Sequence, residues 1–467
     1  VTLADLTIAN GRVVDDKGGG IANEAGATLS LLNDAVANNT AYGIGGGLWN
    51  AIGATVSISN CTFVGNQALG SLTFSYPEEG FTPGDGTAEG GAIDTDGPAT
   101  VSHSTFTDNL VEGATGGRLS GAHGGAIGAD GSLTVTHCTF TDNQARGGDG
   151  SAGASGVNGG SGGQAEGGAI GVFEEGGTVS HCVFEDNQAI GGNGGAGGAG
   201  ANGGAGGSAQ GGALGLVNGT LTLEHSTFSE NQAKGGTGGA GGSGGNGGAG
   251  GAGQGGAFLH TVNVGTATPL SNISHVTMRD NQAIGGRGGD GGAGGSGGNG
   301  GAGQGGAMRV LLGTVNLSHS RLLDNQATGG DGGTAGAGGA HGGNGGNGQG
   351  GGLLDTFGVT IVVSDTNIMR NRAQGGAGAD GGNGGNGLGG GVFSDGASPF
   401  GAPNLTLTDC RIGLNEADGG AAGTGGTDGQ GVGGGVYNAG GSVDVIRTKI
   451  KHNHASTSND DVFGSLS

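Results

Sequence analysis

His225–Phe258 reads HSTFSENQAKGGTGGAGGSGGNGGAGGAGQGGAF: a short alternating segment, a Gly-Gly-X tract, and a return to apolar residues. In its first part Phe228 is apolar, Asn231 stands at a turn and Ala233 is small enough to pack behind it, the pattern of a strand ending at a corner. The tract that follows has no side chain able to build a core and alone would be disordered. Its three-residue period fits an extended helix of three residues per turn, ordered only if neighbouring copies supply hydrogen bonds.

The asparagine of this stretch recurs along the chain, usually before Gln-Ala: Asn39, Asn66, Asn109, Asn143, Asn187, Asn231, Asn281, Asn325, Asn371, Asn415 and Asn453. Upstream of each stands a glycine doublet leading into an apolar residue, as in Gly46-Gly47-Leu48 and Gly90-Gly91-Ala92-Ile93. The shortest anchor spacing is 27 residues (Asn39 to Asn66) and the commonest is 44, the difference being glycine-rich insert. A unit with three short apolar stretches and no helical period predicts one coil of a parallel β-helix, about eleven coils in all, as one all-β domain over 1–467.

Alignment on the anchor shows what stacks. Three places before it stand Phe63, Phe106, Phe140, Phe184 and Phe228, then Met278, Leu322, Ile368, Ile412 and Ile450, the expected core ladder. Eight before it, Ile58 to Val445 form a second inward ladder, and two after it Ala recurs, with Val111 the departure. Six before it stand Asn33, Asn60, His103, His137, His181, His225, His275, His319, Asp365, Asp409 and Arg447. Stacked imidazoles read either as a metal or proton wire or as a corner ladder. One before the anchor, Asp108, Asp142, Asp186, Glu230, Asp280 and Asp324 form a carboxylate column that reads as a divalent-cation site, calcium for instance, or as a solvated stripe. Cys61, Cys138, Cys182 and Cys410 share one register, as free buried thiols or with Cys138 and Cys182 paired.

Composition bounds the function. With 130 Gly and 6 Pro in 467 residues the chain is neither collagen nor an ordinary globular domain. A net charge of −23 with only 15 Lys and Arg argues against nucleic acid and anionic polysaccharide as partners. No apolar run is long enough to span a membrane, and no signal-like segment opens the chain, so Val1 reads as a mature or trimmed start.

Gly124-Gly125-Ala126-Ile127 and the Phe-x-x-Asn spacing of Phe140 to Asn143 and Phe184 to Asn187 resemble the repeats of polymorphic outer membrane proteins and related bacterial surface proteins. The resemblance implies a right-handed parallel β-helix, secretion to the cell surface and no catalytic residues; a membrane-barrel domain is lacking. Glycine-rich inserts are expected at 112–123, 146–166, 190–210, 234–254, 284–304, 328–349, 374–388 and 418–432. Stacked on one side as a polyglycine II array, they resemble the glycine-helix bundle of snow flea antifreeze protein. The irregular insert 69–89, with Phe74, Tyr76, Pro77, Phe81 and Pro83, is expected to cover one flank of that array.

At the ends, Leu6, Ile8, Asn10 and Val13 fit part of a coil, with Asn10 on the histidine ladder; Val462 and Phe463, in the tail 456–467, fit the strand missing before them. These phases suit head-to-tail stacking of copies, or a cut from a longer polypeptide. The chain therefore reads as an extracellular structural protein, not an enzyme, forming a filament or surface layer with itself. It needs no cofactor unless calcium, no nucleic acid and no membrane insertion. The alternatives are an adhesin or ice-binding module contacting a glycan or other surface and, by fold analogy alone, a polysaccharide lyase or hydrolase.

Overall fold

The computed structural model describes residues 1–77, 80, 82–262, 269–356, 358–396 and 403–467; Phe81 lies outside them. The fold is a right-handed parallel β-helix in which every strand pairing among the described residues is parallel, in four sheets of twelve strands and one of nine. No helix among those residues is long and apolar enough to cross a membrane.

One rung contains the stretch quoted above. Thr220–Glu224 lies in the first sheet, Thr227–Ser229 in the second and Gln232–Lys234 in the third. After the glycine tract, Gly253–Gln254 adds to the nine-stranded ladder and Phe258–Thr261 to the fifth sheet. Pairing with the next rung is in register: Phe228 with Met278, Gln232 with Gln282, Phe258 with Met308. Alternation along each strand turns one residue inward and the next to solvent, so identical register stacks like on like.

The phenylalanine ladder forms as expected. Phe63, Phe106, Phe140, Phe184 and Phe228 are fully buried and stack with centroids 4.5 to 4.9 Å apart, planes within 8°. Each such ring contributes about 2–3 kcal/mol of burial. A second, thinner core explains the Ala after Asn-Gln: Ala145, Ala189 and Ala233 of the third sheet meet Ala165 and Ala209 of the nine-stranded ladder, where nothing larger than Val111 is accommodated. The cysteines are free and buried, occupying a slot filled in other rungs by Ser104, Ser226 or Ser320.

Two corners are left-handed in every rung. The histidine column spans Asp5 (φ 56°), His103 (49°), His225 (48°) and Arg447 (48°), and the carboxylate column spans Asn10 (61°), Asp142 (55°), Glu230 (59°) and His452 (62°). Asn, Asp and His tolerate this region best among non-glycine residues, so the corner selects them without reference to any ligand.

Among the described residues there are twelve rungs, not eleven. The missed rung comes first, because Gly11 replaces the anchor and only its backbone amide is needed, donating to Asn39 Oδ1 at 2.8 Å. Pairing of Thr7–Ala9 with Ala35–Ala37 corrects Asn10: it belongs to the carboxylate column, while Asp5 stands on the histidine column and accepts from Asn33 Nδ2 at 3.1 Å. The irregular insert has two parts. Phe74 and Tyr76 bury against Ile44, Trp49, Ala51 and Ala54, covering the outside of the fifth sheet near its start. Residues 84–86 lie against the first glycine-rich insert, the Gly84 and Gly86 carbonyls accepting from Arg118 N and Ala114 N at 2.7 Å each and the Asp85 carbonyl from Ser120 N at 2.8 Å, so this part flanks the glycine array.

Candidate functional site

The anchors form one continuous hydrogen-bonded ladder. Asn231 Nδ2 donates to Asn281 Oδ1 at 2.9 Å and to the Phe184 carbonyl at 3.0 Å, and its backbone amide donates to the same Oδ1 at 3.1 Å. Asn66, Asn109, Asn143, Asn187, Asn281 and Asn325 repeat this pattern, fully buried. Every polar atom is satisfied inside the core, so the column is structural.

Imidazoles His103, His137, His181, His225, His275 and His319 stack outside the shaft with centroids 4.7 to 5.0 Å apart and planes within 9°. The imidazole stack gives way to Asp365, whose Oδ2 lies 3.8 Å from His319 Nε2. On the carboxylate column, Asp142 is pushed up by partial burial and by Asp186 and Asp108, and Asp186 by burial and Glu230. Relief comes at one end, where Arg370 pairs with Asp324 through two bonds of 2.7 Å and Arg279 approaches Asp280 at 3.2 Å. Among the described residues no group of three or more His, Cys, Asp or Glu is placed to hold a metal ion.

Val462–Phe463 pairs within its own chain: Val462 with Val436, Phe463 with Tyr437. Ser467 then bonds Val443 and Val445 on the last first-sheet strand. At the other end Leu6 is 46% exposed, its amide donating to Asp34 Oδ1, and Ile8 pairs with Val36.

The glycine tracts leave the shaft after the third sheet and return at the nine-stranded ladder as an outgoing and a returning arm. In each Gly-Gly-X triplet the first glycine donates to the same arm one rung on (Gly194 to Thr237 O, 2.8 Å; Gly197 to Ala240 O, 2.8 Å). The second donates to a neighbouring antiparallel arm (Gly195 to Gly160 O, 2.8 Å; Gly204 to Gly195 O, 2.9 Å). A Cβ on Gly239 would run into the Gly195 carbonyl, which is why these positions are glycine. The amide of X points outward, and an Asn or Asp one rung back accepts it: Asn202 N to Asn158 Oδ1 at 2.9 Å, Asn246 N to Asn202 Oδ1 at 2.8 Å, Ser296 N to Asn246 Oδ1 at 2.8 Å. The scattered Asn of the tracts thus close the one backbone amide in three that glycine packing leaves over.

One region departs from repetition. Glu89, His123 and Glu166 follow one another on the nine-stranded ladder. His123 Nδ1 lies 3.6 Å from Glu89 Oε1, too long for a direct hydrogen bond, and its ring centroid is 5.1 Å from that of Phe173. Burial pushes His123 down to about 4 and Glu166 up to about 8, so at neutral pH the imidazole is unprotonated and the Glu166 carboxyl is protonated. Two clefts, of about 460 and 590 Å³, open on either side, and Glu89 and His123 line both. In the smaller, Arg118 pairs with the buried Asp85 at 2.6 Å. In the larger, Asp96 accepts from Tyr76 Oη at 3.0 Å and Trp49 Nε1 at 3.2 Å, while Lys17 Nζ sits 3.7 Å from the Tyr76 ring centroid. Anchor-based alignment missed this group; alignment on the glycine doublets exposes it, because Glu89, His123 and Glu166 each immediately precede one.

No family model matches the chain, and no curated protein matches its sequence. Among solved structures it is similar to the crystal structure of the periplasmic alginate epimerase AlgG, at 10% identity and a TM-score of 0.31, over 94% of this chain and 76% of that one. That protein is an enzyme, and the expectation that this chain is no enzyme is withdrawn. Glu89, His123 and Arg118 together line the smaller cleft. At this identity and score the likeness carries no argument for a particular activity, substrate or compartment.

Proposed function

We propose that the chain is an extracellular structural element: a stiff β-helical shaft that templates a slab of polyglycine II helices and presents it as a flat contact surface. The observation that carries this reading is the hydrogen-bond repeat of the arms, in which both glycines of each triplet bond to neighbouring arms and only the X side chains face outward. Such arms have no order of their own, and the rung spacing of about 4.8 Å holds them at bonding distance. The excess of acidic residues keeps so large a repetitive surface soluble.

A filament or surface layer built from copies of residues 1–467 follows from the same columns. Continued in register, Asp5 of one copy would stand over Arg447 of the next, as Asp409 already pairs with Arg447 at 2.6 Å, and Ile8 over Ile450. Ser467 occupies part of that edge and must be displaced first. Negative-stain microscopy and sedimentation of the protein with and without residues 465–467 test this: filaments of one-subunit repeat, favoured by the truncation, support assembly, and strictly monomeric particles at high concentration in both forms refute it.

A further inference from the structure

The two left-handed corners flank the second sheet, one before each of its strands and one after, and their contents are sorted. A positive φ selects Asn, Asp or His at both corners, but it does not send imidazoles to one and carboxylates to the other. Successive rungs do this: His103 with Asp108, His137 with Asp142, His181 with Asp186, His225 with Glu230, His275 with Asp280 and His319 with Asp324. The rung before them has neither, carrying Asn60 and Gly65. In the rung after them the signs exchange, Asp365 following the imidazoles and Arg370 the carboxylates. The two runs start together, stop together and reverse together.

Within the chain neither run answers the other. The two members of a rung are separated by a strand and its ends, roughly 15 Å of extended backbone at about 3.3 Å per residue. Asp142 and Asp186 feel the repulsion of Asp108 and Glu230, and among the described residues no Lys or Arg pairs with these four. Between the corners the outward residues are small, such as Thr105, Thr107, Thr139, Thr141, Thr227 and Thr277, and no insert interrupts the chain on either side of the second sheet. A twofold axis along the shaft lays this face on its own copy with rungs level and corners exchanged. Each imidazole then meets a carboxylate of the same rung. Where the signs exchange, Asp365 meets Arg370, which uses Nε and Nη2 on Asp324 and keeps Nη1 for a further acceptor. An axis across the shaft would instead set each corner against its like. Over these rungs the face measures roughly 34 Å by 16 Å at about 4.8 Å per rung and 3.3 Å per residue. Two such faces bury about 1,100 Å², just past the ~1,000 Å² that a specific interface needs.

The geometry points to a parallel, side-by-side dimer of this chain through the outer face of the second sheet, each histidine column lying along the carboxylate column of the other copy. The contact is lateral and independent of the head-to-tail stacking proposed above, which uses the two ends of the shaft. Imidazoles gain charge in acid, so the pairing strengthens as pH falls. The other charged groups that face the histidine column are Glu224 from the first sheet, Arg321 from the second and Asp365 along the column itself, with Glu185 and Arg279 at the far edge of the second sheet.

Sedimentation velocity and small-angle scattering of the full chain at pH 6 and low salt test this, with two charge-reversed variants. One carries His137→Asp, His181→Asp and His225→Asp, and the other Asp142→Arg, Asp186→Arg and Glu230→Arg. Asp409 already stands in the histidine column and Arg370 in the carboxylate column, so each corner has a precedent for its new residue. The parent is expected to form a dimer no longer than the monomer, weakened severalfold at pH 8 or in high salt. Each variant alone should dimerise at least tenfold more weakly, and an equimolar mixture should recover as a heterodimer within about threefold of the parent. The shape-preserving set Asp142→Asn, Asp186→Asn and Glu230→Gln should weaken the dimer severalfold, which keeps the test alive where a reversed variant does not fold. A parent that stays monomeric at high concentration, or one that associates only into particles of doubled length, would overturn the proposal. Parent affinity in a folded reversed variant, or no recovery on mixing two folded ones, would do the same.

Discussion

One carboxylate oxygen of Asp461 accepts both the backbone amide and the side-chain amide of Asn453, at 3.1 and 2.9 Å. The buried asparagine ladder thus ends on a carboxylate supplied by the tail, and the adjacent Asp460 accepts from Ala455 N at 2.9 Å. Asp461→Ala removes the acceptor for two donors and should cost about 1–3 kcal/mol, confined to the last rung. Hydrogen exchange reads this directly: the Asn453 amide should lose protection while that of Asn231 keeps it. Asp461→Asn retains the accepting oxygen and should exchange much like the parent.

Asn231→Ala should be far more damaging than its size suggests. It deprives Asn187 N and Nδ2 of their shared acceptor, at 3.0 Å each, and leaves the Phe184 carbonyl without its side-chain donor, all in a fully buried column. With each orphaned group costing about 1–3 kcal/mol, a loss of about 3–5 kcal/mol is expected in chemical denaturation. A loss below 1 kcal/mol would mean that the ladder is an ornament of the register and not a support of it.

The contrast between what could and could not be read in advance follows from how each column is constrained. Phe140 and Asn143 sit at a constant offset in nearly every unit because in-register stacking repeats the same demand, so the core and the anchors were legible. The first rung was not, because Gly11 meets the anchor's demand with a backbone amide alone. Asp142 and Asp186 suit both a cation site and a left-handed corner, and their φ of 55° accounts for aspartate there with or without a cation. The alternating Asn of the glycine tracts carried a meaning that a single tract conceals, since Asn202 acts on Asn246, an insert away. Glu89, His123 and Glu166 stayed hidden because inserts of unequal length separate them, and only the glycine corners hold their phase.

Gly239→Val should separate the slab from the shaft. The added Cβ collides with the Gly195 carbonyl, a backbone atom that cannot turn aside, and the arms on both sides must part. Ala240→Val, one residue on, places its bulk on the exposed face and should be tolerated. Limited proteolysis is expected to cut the tracts around Gly239→Val while the β-sheet circular dichroism stays unchanged. If the shaft melts with the slab, the two form one cooperative unit and the division of labour proposed above is wrong.

Glu166 makes stability depend on pH in a direction that can be worked out. Its carboxyl is pushed from 4.5 to about 8 by burial, so its contribution is fully present below pH 4.5 and is lost as pH rises through 8, when the unfolded chain gives up the proton and the folded chain resists. The shift corresponds to about 4–5 kcal/mol as an upper limit. Glu166→Gln removes the titration, and the substituted side chain is the one that Gln210 carries in the next rung, so the shape is already accommodated. The variant should therefore flatten the fall in melting temperature between pH 5 and 9 and be the more stable protein at pH 9. His123, pushed down to about 4, acts in the opposite sense: its contribution is present above pH 6.5 and is lost as pH falls through 4, so the acid limb should survive in Glu166→Gln. An unchanged alkaline limb in the variant would show that the Glu166 carboxyl is ionised in the folded protein.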